Sequence, residues 1–103
     1  MTESDPLSVE LYRHDDGDTV RVIRARIGRD GSLQVGCQDI GGAPTRIWGD
    51  SDYEWWVSVA AEHKDRVLLL LLEQCFRRRA DAVDEVTALL REHEIPCEWM
   101  NWT

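Results

Sequence analysis

The stretch Tyr53-Glu54-Trp55-Trp56-Val57-Ser58-Val59, followed at Val67 by Val67-Leu68-Leu69-Leu70-Leu71-Leu72-Glu73-Gln74-Cys75-Phe76, decides the fold class, because the hydrophobic period changes between its two halves. In the first half, Tyr53, Trp55, Val57 and Val59 alternate with Glu54, Trp56 and Ser58, the two-residue period of a strand rich in aromatic and β-branched side chains. In the second, Val67, Leu68, Leu71, Leu72, Cys75 and Phe76 recur at helical spacing, in a helix that the pattern places near Ala61 to Arg79. Glu62 with Arg66 and Glu73 with Arg77 stand four apart, and Arg77-Arg78-Arg79 suit the negative end of that helix. The basic triplet thus has a structural explanation.

Working back toward the N-terminus, residues 8–13 alternate with period two and His14-Asp15-Asp16-Gly17-Asp18 carries an Asp-Gly turn signal. From Thr19 to Ile27, Val20 and Val22 stand in one phase and Ile23, Ala25 and Ile27 in the other, which predicts a bulge near Val22. Gly28-Arg29-Asp30-Gly31 is the next turn, after which Leu33, Val35 and Cys37 alternate with Gln34, Gly36 and Gln38. Residues 39–52, rich in glycine and turn formers, read as a surface loop with a short extended piece at Thr45–Trp48. Toward the C-terminus, Asp81 is placed to cap a second helix with an apolar stripe of Val83, Val86, Leu89 and Leu90, ended by Pro96. Cys97 to Trp102 read as a last short strand.

These pieces assemble into a single α+β domain over residues 1–103, with residues 1–6 expected to be disordered. Its expected architecture is a four-stranded antiparallel meander, covered on one face by a two-helix hairpin, with the C-terminal strand at an edge. A chain of 103 residues with 43% hydrophobic residues suffices for one core. The formal charge of -8 disfavours attraction to phosphate backbones, so no nucleic acid partner is expected, and it suits a basic protein partner instead. Three cysteines without C-x-x-C spacing suggest neither a disulfide framework nor a zinc ribbon, and all three are expected to be buried thiols. The acidic start Met1-Thr2-Glu3-Ser4-Asp5-Pro6 lacks the apolar segment of a secretory signal, and the run Val67–Leu72 is too short to span a bilayer, so a cytoplasmic protein without membrane attachment is expected.

Candidate chemistry is sparse. In Trp48-Gly49-Asp50-Ser51-Asp52-Tyr53-Glu54-Trp55-Trp56, carboxylates at alternate positions invite a calcium loop, but the sixth position, where that loop needs glycine, is Trp55. Asp50 and Ser51 then cap a turn, and no metal or other cofactor is expected. His14, His63 and His93 share no metal-ligand spacing with cysteines. Cys37 with His14 and Asp39 has the residue types of a nucleophilic triad without a surrounding motif, and no phosphate-binding glycine loop occurs. An enzyme is therefore the weaker expectation, and no catalytic residue is assigned.

Surface recognition remains. If Ile23, Ala25, Ile27, Leu33, Val35, Cys37, Trp55, Val57 and Val59 share the core-facing side of the sheet, then Arg24, Arg26, Gln34, Gln38, Glu54, Trp56 and Ser58 share the other. Arginine and tryptophan are frequent interface anchors, so Arg24, Arg26, Glu54 and Trp56, with Trp48, Asp50 and Asp52 of the adjoining loop, are the predicted partner-binding residues. The structural alternative is that Trp56 stacks on Arg24 or Arg26, or is covered by Trp99 or Trp102.

The segments Gly36-Cys37-Gln38-Asp39-Ile40-Gly41, Trp48-Gly49-Asp50-Ser51-Asp52-Tyr53-Glu54 and His63-Lys64-Asp65-Arg66 resemble those of a family of small, uncharacterised bacterial proteins, over roughly residues 34–103. That resemblance implies a bacterial origin and supplies no catalytic residue. In size, acidity and α+β content the chain is also similar to immunity proteins of bacterial toxin systems, a likeness of fold class alone. The expected function is thus a protein-binding domain, such as an immunity or antitoxin-like inhibitor of a basic partner. A small ligand-binding domain or enzyme using the Asp39 to Glu54 loop, and a homodimeric structural protein, are the alternatives.

Overall fold

A computed structural model of the chain describes residues 7–102; the disorder expected for residues 1–6 lies outside them. Two compact units divide the chain, one ending at Val67 and one beginning at Leu68. In the first, strands β1 (Ser8–Asp15), β2 (Thr19–Ile27), β3 (Leu33–Gly41) and β4 (Asp52–Val59) form one antiparallel sheet in sequence order. With all four strands antiparallel and two of the three helices following them, the fold class is α+β.

The register divides the side chains as the alternation implied. Ile23 lies opposite Cys37 and Cys37 opposite Trp55; Ala25, Val35 and Val57 make the next row, and Ile27, Leu33 and Val59 the third. The intervening rows, Val22–Gln38–Glu54, Arg24–Gly36–Trp56 and Arg26–Gln34–Ser58, therefore emerge on the other face. The bulge is not at Val22, because β2 pairs with β3 without a break. It lies in β1 between Glu10 and Tyr12. Glu10 and Arg13 consequently project on one side, where Arg13 donates to Glu10 at 2.8 and 3.0 Å.

Both tight turns form where the glycines stand, Gly17 and Gly31 each adopting positive φ. Residues 42–48, expected as loop, instead form helix α1 (Gly42–Trp48). Three features explain it. Pro44 falls in the first turn, where its missing N–H costs nothing; Gly49 ends the helix in the left-handed conformation and donates to the Thr45 carbonyl at 3.0 Å; and Gly42 N–H and Ala43 N–H are satisfied by the Asp18 carbonyl and Thr19 Oγ1. Arg46 secures this helix to the β1–β2 turn through Asp18, at 2.8 Å. That hydrogen bond lowers the Asp18 carboxyl from the ordinary value of 3.8 to about 2.

A short 3-10 turn (Ala61–His63) leads into helix α2 (Lys64–Phe76), so the helix is shorter at both ends than its apolar pattern suggested. Lys64 Nζ donates to the Gly31 carbonyl at 2.8 Å, tying the start of α2 to the β2–β3 turn. Arg78 in positive φ ends the helical run, and Glu73 with Arg77 forms its expected pair at 3.2 Å.

In the second unit, α3 (Ala82–Glu92) starts after Asp81, but Asp81 does not cap it through its side chain. Arg79 occupies that carboxylate with two donors at 3.0 and 3.2 Å. The half-buried residues of this unit are Leu72 and Phe76 on α2 and Ala82, Val86, Thr87 and Leu90 on α3, so Val86 and Leu90 of the expected stripe are half-buried while Val83 and Leu89 are exposed. Helix α3 closes before Pro96, with Glu94 in positive φ and Ile95 N–H reaching back to the Leu90 carbonyl at 2.9 Å. A glutamate is a poor occupant of that conformation. Replacing Glu94 by glycine is expected to stabilise this unit by roughly 0.5–1 kcal/mol, read as a higher urea midpoint in α3 amide exchange; an unchanged or lower midpoint contradicts it.

Residues 95–102 adopt no strand, so the expected C-terminal edge strand does not form. Cys97, Glu98 and Trp99 instead line an apolar groove with Leu72, Phe76 and Val86. The cysteines also differ from expectation: Cys37 is buried, but Cys75 sits one residue off the Leu72–Phe76 stripe and is exposed, as is Cys97. Among the described residues no helix is long and apolar enough to cross a membrane.

Candidate partner-binding face of the sheet

The face carrying Arg24, Arg26, Gln34, Gly36, Gln38, Glu54 and Trp56 encloses a shallow depression of about 470 Å³, lined also by Ser8 and Val22. Its floor is β3. Gly36 contributes no side chain, so the middle of the floor is open between Arg24 on β2 and Trp56 on β4, two strand spacings or about 10 Å apart. Gln34 and Gln38 flank this gap along the strand.

The two walls differ chemically. On the β2 side, Arg26 Nε donates to Gln34 Oε1 at 2.9 Å, and Gln34 in turn donates to Ser32 Oγ at 3.2 Å. Arg24 approaches Glu10 at 3.7 Å, and the hydrogen bond from Arg13 holds the Glu10 carboxyl below its usual range. These arginines are thereby held outward in a polar network. On the β4 side, the Gln38 amide nitrogen sits 2.9 Å from Asp52 Oδ1 and 3.4 Å from Glu54 Oε1. Among the described residues no cation lies within salt-bridge distance of either carboxylate. Next to them Trp56 exposes 63% of its surface.

Five of the seven residues expected to meet a partner therefore share this face: Arg24, Arg26, Asp52, Glu54 and Trp56. Asp50 stands at the end of the β4 approach, where it accepts the Asp52 N–H at 3.1 Å and caps the turn. Trp48 does not join them. It stacks on Tyr53 with ring centroids 4.8 Å apart, and Tyr53 leans on Trp55, both of the opposite face. The alternation of β4 settles Tyr53 and Trp55, but Trp48 lies in α1, whose formation the glycine-rich sequence concealed.

On that opposite face Arg21 caps the aromatic row, its guanidinium 5.3 Å from the Trp55 ring centre, and grips Asp39 with two bonds of 2.7 and 2.8 Å. Sequence reasoning gave Arg21 no role, although Arg21 and Asp39 are direct cross-strand neighbours. The pair also breaks up the Cys37, His14 and Asp39 constellation, because Arg21 stands in register between His14 and Asp39 and occupies the carboxylate. Burial raises the Cys37 thiol above its usual range, the opposite of what a nucleophile needs. Among the described residues no three His, Cys, Asp or Glu side chains are placed to hold a metal ion.

The fold and this face together define a small α+β protein with a concave, amide-floored sheet surface. Comparisons with family models, with curated proteins and with solved structures find no match to this chain.

Proposed function

We propose that this protein acts by binding another protein, a basic one, through the concave sheet face, in the manner of an immunity or antitoxin-like inhibitor that occludes its target. The observation that carries this reading is the pairing of Asp52 and Glu54 on a single amide donor, beside the exposed Trp56. Two carboxylates held close without a cation repel each other, and an incoming lysine or arginine relieves that repulsion. Trp56 supplies the apolar area that anchors such a contact, and Gly36 leaves room for the partner's side chain between the two walls. The chain's net charge of -8 steers a basic partner toward it.

The test uses a cationic decapeptide of alternating lysine and tyrosine as probe, titrated calorimetrically. Trp56→Ala is expected to weaken binding about tenfold, and Asp52→Asn with Glu54→Gln to weaken it by at least as much with a shallower salt dependence. Circular dichroism should remain that of the unaltered protein in both. Affinity indifferent to these changes would sink the assignment of this face. The depression is also of a size that holds small ligands, and a ligand spanning Arg24 and Trp56 is the second reading. The Asp52→Asn, Glu54→Gln variant separates the two, since a ligand held between Arg24 and Trp56 keeps its affinity while a basic protein partner loses it.

A further inference from the structure

The two edges of the sheet are not alike. Edge strand β1 carries a bulge and four charged residues, Glu10, Arg13, His14 and Asp15 once histidine is counted, the devices that keep an edge from pairing. Edge strand β4 pairs with β3 over Asp52–Val59 without a bulge and contains neither proline nor lysine. Its pairing neighbour is β3 alone among the described residues. Gly41 N–H bonds the Ser51 carbonyl at 2.8 Å, which makes Gly41–Ser51 a hydrogen-bonded pair and fixes the alternation beyond it. Tyr53, Trp55, Val57 and Val59 thus direct their backbone groups at β3, and Asp52, Glu54, Trp56 and Ser58 direct theirs outward.

We propose that β4 is a dimerisation edge, pairing antiparallel with β4 of a second copy of this chain about a two-fold axis at Trp56 and joining the two sheets into one of eight strands. Self-complementarity names the occupant. With the axis at Trp56, that residue faces its own counterpart, Glu54 faces Ser58, Trp55 faces Val57 and Tyr53 faces Val59. Aromatic and β-branched side chains then meet across the junction, and no like charges stand opposite or diagonal to each other. An axis at Trp55 would set Glu54 diagonal to its counterpart, and an axis at Glu54 would set the two directly opposite. Edge pairing uses backbone groups in the plane of the sheet; it sets Trp56 beside its counterpart at the rim and leaves the Gly36 floor and the Arg24 and Arg26 wall open, so it goes beyond the binding reading and is read without any partner.

Sedimentation equilibrium of the full chain tests it. The unaltered protein should have the mass of two chains. Ser58→Pro removes an outward N–H that the monomer's own ladder does not use, and should give a single chain with an unchanged circular dichroism spectrum. Ser58→Lys, set against Glu54 of the second copy, should tighten the dimer about fivefold, and Ser58→Glu should loosen it by a similar factor. A single-chain mass for the unaltered protein at its highest soluble concentration, or a dimer indifferent to the Lys and Glu substitutions, overturns the proposal.

Discussion

Replacing Gly41 by alanine is expected to destabilise the sheet unit by about 3 kcal/mol. Gly41 has φ 124 and ψ -141, a region that only glycine enters without strain, and a Cβ built there runs into the Asp18 carbonyl oxygen. Both penalties fall on the same bonds. Gly41 N–H ties β3 to Ser51, and the Asp18 carbonyl that the methyl would displace accepts the Gly42 N–H that starts α1. Gly49→Ala is the control, because Gly49 also has positive φ but lies in the left-handed region with open space around the missing Cβ. It should cost only about 1 kcal/mol. Urea titrations of the two variants check the contrast, and equal losses would mean that the crossing from β3 into α1 is not strained as described.

The second large effect is expected at Arg21. Truncating it to alanine removes both donors from Asp39, whose side chain is only 15% exposed, and lifts a guanidinium off the Trp55 ring. A loss of about 2 kcal/mol follows, most of it the penalty of leaving a largely buried carboxylate without its partner. Asp39→Asn in the Arg21→Ala background should recover part of that loss, since it removes the uncompensated charge. The pair also sets a pH dependence. Its hydrogen bonds hold the Asp39 carboxyl below the ordinary value of 3.8, so the stability it contributes is fully present above about pH 4 and is lost as the pH falls through the lowered folded value. Arg21→Ala should therefore flatten the acid limb of the stability profile. An acid limb identical in the two proteins would assign that limb to other carboxylates.

The division of side chains between the sheet faces was legible in the sequence because strand alternation is strict: Ile23, Cys37 and Trp55 on one side, Arg24, Gly36 and Trp56 on the other. What defeated the reading was local and cooperative. The phase slip at Val22 looked like a bulge, yet β2 keeps its register and Val22 lies buried on the polar face beside Gln38 and Glu54, whereas the actual bulge sits in β1, whose pattern alternates cleanly. Helix α1 was hidden because seven residues between glycines carry little periodicity, and its stability comes from Asp18 and Thr19, distant in sequence. The proline in the first turn and the glycine just past the end were the available signal. The tail alternates weakly, and its Trp99 is drawn to the apolar groove instead of a strand partner.

Of the candidate site, the sequence identified the face but not its shape. The gap at Gly36 and the shared donor of Asp52 and Glu54 depend on register, which alternation alone does not supply. Trp48 was assigned to the face from proximity in sequence, and the helix carries it to the other side of the sheet. Gly36 itself was visible only as one member of an alternating run.

The most direct test of the binding face is a nitrogen-15 NMR titration with the lysine–tyrosine decapeptide, reading side chains that belong unambiguously to one face or the other. The Gln34 and Gln38 side-chain amides, the Gly36 amide and the Trp56 indole are expected to shift together, while the Trp48 and Trp55 indoles and the Arg21 guanidinium beside Asp39 stay in place. Shifts that appear first at Trp48, Trp55 and Arg21, with Gln38 and Trp56 unmoved, would contradict it.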